Sequence, residues 1–324
     1  MSQATKFDSK NIRVVFMGTP HFAEASLTLL FEAGYHIVAV FTQPDKPSGR
    51  DQTSVQSAVK IFAEKNTIPV IQPLTLKHEA LEQLRSYRPD IVVVAAYGKI
   101  LPESFLGVPR YGCVNVHASL LPRWRGASPV QNALLSGDTE TGITILKMDR
   151  GMDTGPILSK RSIPLLPDDT TETLLPKLAQ VGGTLLVETL PDWIEGRITP
   201  RDQDQTGVTL CQLIEREDGK LFWTESAETL YNRFRALQPW PGVFSFWKRG
   251  GSLLRLKLHH LSLHPHTPET PHDLGEVFEL GEHVGVQTGN GVLFLHTVQL
   301  EGKSALPIAD FIRGYPDFVG TRLE

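Results

Sequence analysis

The chain reads as α/β, with a doubly wound, mostly parallel sheet over roughly its first two-thirds and a smaller β-barrel after it. Three observations predict this. Short β-branched runs alternate with helical stretches up to about residue 196; the pattern then turns polar and irregular at Arg197; beyond it, short strands follow one another between glycine-bearing turns. Alternation of the first kind is what crossover connections between parallel strands produce, and closely spaced strands suit a small barrel.

Six strands are expected in the first part: Ile12 to Met17, His36 to Thr42, Ile68 to Ile71, Ile91 to Tyr97, Cys113 to His117 and Thr141 to Met148. The first helix, FAEASLTLLFEA, is predicted to be capped by Thr19, with Pro20 in its first turn and Gly34 closing it. Ser128-Pro129 opens another helix, running to Leu135 with Gly137 beyond it. A long helical pattern from Thr171 to Trp193 is interrupted by Pro176, which lacks the amide donor and should kink the helix or mark a boundary. Residues 1–196 therefore form a Rossmann-like domain, 197–214 (with RITPRDQDQTGVT) a linker, and 215–324 the barrel domain. In the last of these, a helix at Ala227 to Leu237 precedes strands at Val243 to Trp247, Leu253 to His260, Gly275 to Leu280, Val284 to Thr288 and Val292 to Leu300.

Composition narrows the function classes. The 324 residues suffice for two domains of ~150 residues, and 40% hydrophobic with 21% charged residues is an ordinary globular balance. Lys plus Arg (32) against Asp plus Glu (36) gives −4, so no broad basic surface is available and any nucleic-acid contact must be local. Cys113 and Cys211, without CxxC spacing, suit a reducing compartment and argue against zinc. The longest apolar run, Ile91 to Ala96, is far short of the ~20 residues of a membrane helix, and MSQATKFDSKN has no signal-peptide core. A cytoplasmic, metal-free and monomeric protein is expected. The His- and Pro-rich segment 259–272 reads as an exposed barrel loop.

The first strand ends in VFMGTPHF, where one glycine, Gly18, replaces the G-x-G-x-x-G of dinucleotide sites, and no GxxxxGK[ST] is present. The chemistry is concentrated in GCVNVHASLLPRWRGASPVQ, residues 112–131. Asn115 and His117 stand two apart at the carboxyl end of a strand, on one face, at the sheet edge where ligands of open α/β sheets bind. The segment KMDRGMDTGPI brings Asp149 and Asp153 to the end of the next strand. An Asn, a His and an Asp together can run acyl transfer without a nucleophilic side chain: Asn115 donates to a developing oxyanion, His117 stabilises it or moves protons, and Asp153 orients the histidine or accepts a proton. Spacing alone is equally compatible with satisfied polar residues at a strand end and an Asx turn at Asp153.

The stretches NVHASLLPRWRGASPVQ and DTETGITILKMDRGMDTGPIL resemble the folate-dependent formyltransferases, most closely those that act on charged initiator tRNA. The likeness extends to VFMGTPHFA, FTQPDKPSGR, VVAAYGKILP and, in the second domain, ALQPWPG. It implies a Rossmann-like catalytic domain with an OB-like barrel behind it, and places the catalytic trio on Asn115, His117 and Asp153. The folate-binding signature falls on Ser119, Leu120, Leu121 and Pro122. 10-Formyltetrahydrofolate is the implied formyl donor and co-substrate, and the acceptor is the methionine amine of initiator methionyl-tRNA. The loop QPDKPSGR is implied to meet the acceptor stem through Lys46 and Arg50, with Arg123 and Arg125 as further cations at the site mouth. After Gly49-Arg50 the chain departs from the family: Asp51-Gln52-Thr53-Ser54 stands where a glycine and lysines are usual. The alternatives are transfer to the amine of a sugar nucleotide, hydrolysis of the same donor, and a non-catalytic RNA-binding protein.

Overall fold

The computed structural model describes residues 8–48, 53–264 and 272–324. The chain packs as two compact units, one of Met1–Pro129, Glu140–Leu165 and Thr173–Gln212, the other of Val130–Thr139, Leu166–Glu172 and Leu213–Glu324.

The first unit is built on β1 (Arg13–Gly18), β2 (His36–Phe41), β5 (Val70–Ile71), β6 (Ile91–Ala95), β7 (Cys113–His117), β9 (Glu140–Lys147) and β10 (Ile157–Pro164), with a hairpin β3 (Lys46–Ser48) and β4 (Thr53–Val55) and a short β8 (Arg125–Gly126) between them. The sheet order is β10-β9-β7-β6-β1-β2-β5. The five strands from β7 to β5 are parallel, while β9 runs antiparallel to β7 and β10 antiparallel to β9. Central strands are buried on both faces, which is why they read as unbroken apolar runs: Val14 to Met17 and Ile91 to Val93 have no exposure. Helices α1 (His21–Glu32), α2 (Ala58–Lys65), α3 (His78–Ser86), α4 (Glu103–Leu106) and most of α6 (Thr171–Ile194) belong to this unit, whereas all of α5 (Pro129–Leu135) but its first residue belongs to the second.

Two local expectations are corrected. Pro20, not Thr19, is the N-cap of α1, and Thr19 Oγ1 instead reaches the Tyr97 carbonyl at 3.4 Å. Helix α6 runs unbroken through Pro176, so this proline is not a boundary of the helix. The carbonyl that loses its amide partner there is that of Glu172, in the first turn of the helix and on an exposed residue, so the missing bond falls at the solvent-facing start of the helix. Further along, a Cβ on Gly182 would lie 2.9 Å from Val116, and one on Gly183 2.6 Å from Leu29, so this pair lets α6 settle against the sheet and α1. The stretch from Arg197 lies along the first unit: Arg201 and Ile157 exchange both backbone hydrogen bonds, and β11 (Leu210–Cys211) pairs in parallel with β8.

The second unit holds α7 (Ala227–Leu237), then β12 (Val243–Arg249), β13 (Ser252–His264), β14 (Val277–Leu280), β15 (His283–Gln287), β16 (Val292–Leu300), β17 (Leu306–Pro307) and α8 (Ile308–Gly314). The antiparallel order β12-β13-β16-β15-β14 leaves two free edges, and the last residues of the chain join them. Glu324 exchanges both backbone bonds with Phe246, while Leu323 donates to Gly275 and Val277 to Thr321. Trp247, fully buried, packs against Phe311, Tyr315 and Phe318 at the same end. No helix among the described residues is long and apolar enough to cross a membrane.

One face of this sheet carries histidines. The ring of His296 lies tilted against His260 at 4.7 Å and 6.4 Å from His283, and its Nε2 meets Ser262 Oγ at 2.7 Å. Burial, and then the like charges of His260 and His283, hold the His296 pKa below the ordinary histidine value. A histidine with a lowered folded pKa binds fewer protons folded than unfolded. Its contribution is therefore fully present above the unfolded value of ~6.5 and is lost as pH falls toward the folded value. Melting temperature is expected to drop between pH 7.5 and 5.5, and His296→Gln to flatten that dependence. Identical pH dependence in the variant would remove His296 from the account.

Candidate active site

Strand β7 delivers Asn115 and His117 to one face. Asn115 lies in register with Val94 of β6 and Leu146 of β9, and His117 with Thr144, so the edge residues inherit the rigidity of the sheet centre. Asp153 comes from the loop between β9 and β10. Its Oδ1 accepts from Asn115 Nδ2 at 3.1 Å and lies 3.5 Å from His117 Nδ1, while Oδ2 accepts from the Gly126 amide at 3.0 Å. The three side chains expected to converge do meet at one carboxylate. His117 is 5% exposed, so this encounter is largely shielded from solvent screening.

The histidine tautomer follows from its other neighbour. Nε2 lies 2.9 Å from the Trp124 carbonyl, which only accepts, so Nε2 carries the hydrogen. Nδ1, beside Asp153, is then the ring nitrogen able to take or give a proton. Asn115 spends one amide hydrogen on Asp153 and retains a second.

Trp124 and Asp153 both have left-handed backbone, at φ 61° and 56°. Such a conformation costs a non-glycine residue roughly 1–2 kcal/mol, and it persists only where neighbours hold it. Trp124 N donates to Thr209 Oγ1 at 2.8 Å, and the Asp153 carbonyl accepts from Gln203 Nε2 at 2.7 Å. Gly126, at φ 124°, permits the adjacent contact, because a Cβ there would lie 2.2 Å from the Cys211 carbonyl.

The Ser119-Leu120-Leu121-Pro122 loop is pinned from behind. Thr144 Oγ1, fully buried, donates to the Ser119 carbonyl at 2.7 Å and accepts from Leu121 N at 3.0 Å; Ser119 Oγ donates to the Arg123 carbonyl at 2.6 Å. Leu121 packs with Leu146 and Ile157, whereas Leu120 and Pro122 remain partly exposed. Lys160 Nζ donates to the Leu121 carbonyl, and desolvation lowers the pKa of that amine. Tyr97, at the end of the β6 region, packs into the core with Leu101 and Phe105, and burial pushes its phenol up to about 12. It is a core residue.

The expected cations separate into groups. Lys46 starts β3, and Arg50 lies outside the described residues. Arg123 is exposed, with its guanidinium 5.0 Å from the Trp124 ring. Arg125 is corrected: it is 5% exposed and donates through Nε to Gln203 Oε1 at 3.0 Å, so it presents no charge to an external phosphate. In the second unit, Arg235 is likewise buried, donating to the carbonyls of Leu166 and Asp169, and Arg233 and Arg249 are paired with Glu225 and Asp317. Lys248 and Lys257 are exposed.

Sequence reasoning missed Gln203, Thr209 and the Gly126 amide. Nothing periodic marks them, since their contacts join segments brought together by the Arg201–Ile157 bridge and the β8–β11 pairing. Cys113 and Cys211 are buried thiols, and burial pushes Cys113 up to about 12, the behaviour of small core residues.

Residues 10–190 match the family model described as formyl transferase, and 213–316 the formyl transferase C-terminal domain. A methionyl-tRNA formyltransferase of Myxococcus xanthus is 45% identical over 94% of this chain and 95% of its own, and one of Geotalea uraniireducens is 42% identical over 94% and 95%. Among solved structures, HypX from Aquifex aeolicus in complex with tetrahydrofolic acid covers 95% of this chain with 48% of its own at a TM-score of 0.62; at 16% identity this shows a shared fold. With near-complete coverage at more than 40% identity, the chain belongs to the formyl transferase family, among the methionyl-tRNA formyltransferases.

Proposed function

We propose that the protein transfers the formyl group of 10-formyltetrahydrofolate to the α-amino group of methionine esterified to initiator tRNA. The observation that carries this reading is the meeting of Asn115 Nδ2 and His117 Nδ1 on one Asp153 oxygen, at 3.1 and 3.5 Å, at the carboxyl edge of the sheet. The neutral amine attacks the formyl carbon, a new C–N bond forms, and the bond to nitrogen 10 of the folate breaks. One amine proton leaves and nitrogen 10 gains one, so formylmethionyl-tRNA and tetrahydrofolate result.

Asn115 donates to the formyl oxygen as negative charge grows there, a donor worth roughly 2.7–4 kcal/mol in comparable sites. His117, with Nε2–H committed to Trp124, takes the amine proton at Nδ1, then stabilises that charge as a donor and passes the proton to nitrogen 10, while Asp153 holds both partners and takes part in the proton transfer. An α-amine of pKa ~7.7–8.0 is roughly a quarter neutral near pH 7.4, so modest base assistance suffices. Leu120 and Pro122, partly exposed on a loop pinned by Thr144, supply the apolar edge that a flat pterin needs, with backbone groups beside it. Lys46, Arg50 and Arg123 are the candidate phosphate contacts, few enough to agree with a net charge of −4.

The test is formyl transfer by the purified protein to charged initiator methionyl-tRNA, charged elongator methionyl-tRNA and an amino-sugar nucleotide in parallel. Product on the initiator tRNA, at least about tenfold above the elongator, is expected. Transfer to the sugar amine alone, or formate release with no acceptor, would replace this reading.

A further inference from the structure

We infer that Gln203 is a positioning residue for Asp153, in a segment that lies between the two family-model matches, which end at 190 and resume at 213. The inference rests on the reading of Asp153 given above. Gln203 is 5% exposed and every polar direction of its amide is engaged. Nε2 donates to the carbonyls of Asp153 at 2.7 Å and Gly155 at 2.8 Å, and Oε1 accepts from Arg125 Nε at 3.0 Å. With both hydrogens and the oxygen used, the amide has one orientation.

These contacts join two pieces of backbone that define where the Asp153 carboxylate sits. One is the loop carrying Asp153 itself, left-handed at φ 56°. The other is β8, where Arg125 precedes Gly126, whose amide donates to Asp153 Oδ2 at 3.0 Å. Gln203 therefore ties the backbone under the carboxylate to the strand that holds one of its oxygens. The segment around it is anchored on its own account, through the paired backbone bonds of Arg201 with Ile157 and through Thr209, which receives the Trp124 amide. Arg125 Nη2 is buried with no hydrogen-bond partner among the described residues, and the Nε bond to Gln203 helps keep this guanidinium in register. Residues that orient reacting groups through a second layer of hydrogen bonds set their geometry to fractions of an ångström, and displacements near 1 Å cost on the order of 10²-fold in rate.

The decisive variant is Gln203→Glu. It keeps an acceptor for Arg125, now charge-assisted, and replaces both donations with a carboxylate oxygen facing two carbonyls. The expected result is a protein that still unfolds cooperatively but at a lower temperature, with kcat lowered roughly 10- to 100-fold per folded molecule and KM for tRNA and for folate within about threefold of wild type. The ¹⁵N signal of His117 Nδ1 should also be displaced, because it senses the carboxylate beside it whatever the acceptor. Gln203→Met, of similar length and without donor or acceptor, should give the same pattern and decides the matter should the charged variant fold poorly. Wild-type kcat per folded molecule with an unmoved His117 signal in a folded variant overturns the inference. Absence of methionyl-tRNA formylation in the wild-type protein overturns the functional reading instead, and the His117 signal still tests the placement of Asp153 by Gln203.

Discussion

His117→Ala is expected to lower formyl transfer to methionyl-tRNA by about 10²- to 10⁴-fold while the protein stays folded. Once protonated at Nδ1, the ring can donate to a developing oxyanion and pass that proton on. Its loss leaves Asp153 with the hydrogen bonds of Asn115 and the Gly126 amide, so the loop does not collapse. The Trp124 carbonyl loses its 2.9 Å partner but retains the Cys211 thiol at 3.5 Å, and Trp124 N keeps Thr209, so the left-handed turn survives. Single-turnover transfer with saturating folate, alongside circular dichroism, reads the effect. Turnover within about threefold of wild type would remove His117 from the reaction.

Asp153→Asn is expected to cost about 10²- to 10³-fold in kcat with little change in folate KM. Asparagine is nearly isosteric and tolerates φ near +56°, so the backbone has no reason to move. The damage is electrostatic and directional. An amide oxygen turned to the Gly126 hydrogen leaves the NH₂ facing Asn115 Nδ2, donor against donor, and Asn115 must rotate away from the oxyanion position. The opposite rotamer satisfies Asn115 and leaves the Gly126 amide facing two hydrogens. Neither orientation restores the negative charge beside His117. Unchanged kcat would mean that Asp153 serves only as a turn residue, and Asp153→Ala compared with Asp153→Asn would then separate the turn from the charge.

Much of the first unit was legible because its information is local. The apolar runs of β1, β6 and β7 announce strands buried on both faces, and Gly34 and Gly137, at φ 79° and 67°, end α1 and α5 where the sequence predicted. Asn115 and His117 were visible because a two-residue spacing at a strand end puts both side chains on one face without any knowledge of the partner strands. The cap of α1 and the continuity of α6 were not legible, since Thr19 follows a tertiary partner and the bond Pro176 removes belongs to the exposed Glu172 in the first turn of the helix.

The sequence by itself determined the α/β order of elements, the strand that carries Asn115 and His117, and the resemblance that names the reaction class. Tertiary structure decided which charges are usable and what holds the site together. Arg125 looks like Arg123 in the sequence, two positions away, yet one is buried against Gln203 and the other is exposed. Gln203, in a stretch that reads as polar connection, meets Asp153 fifty positions earlier. Periodicity and turn chemistry record how a residue relates to its chain neighbours, whereas burial and hydrogen bonding between distant segments depend on the pairing of β8 with β11, which leaves no local pattern in the sequence.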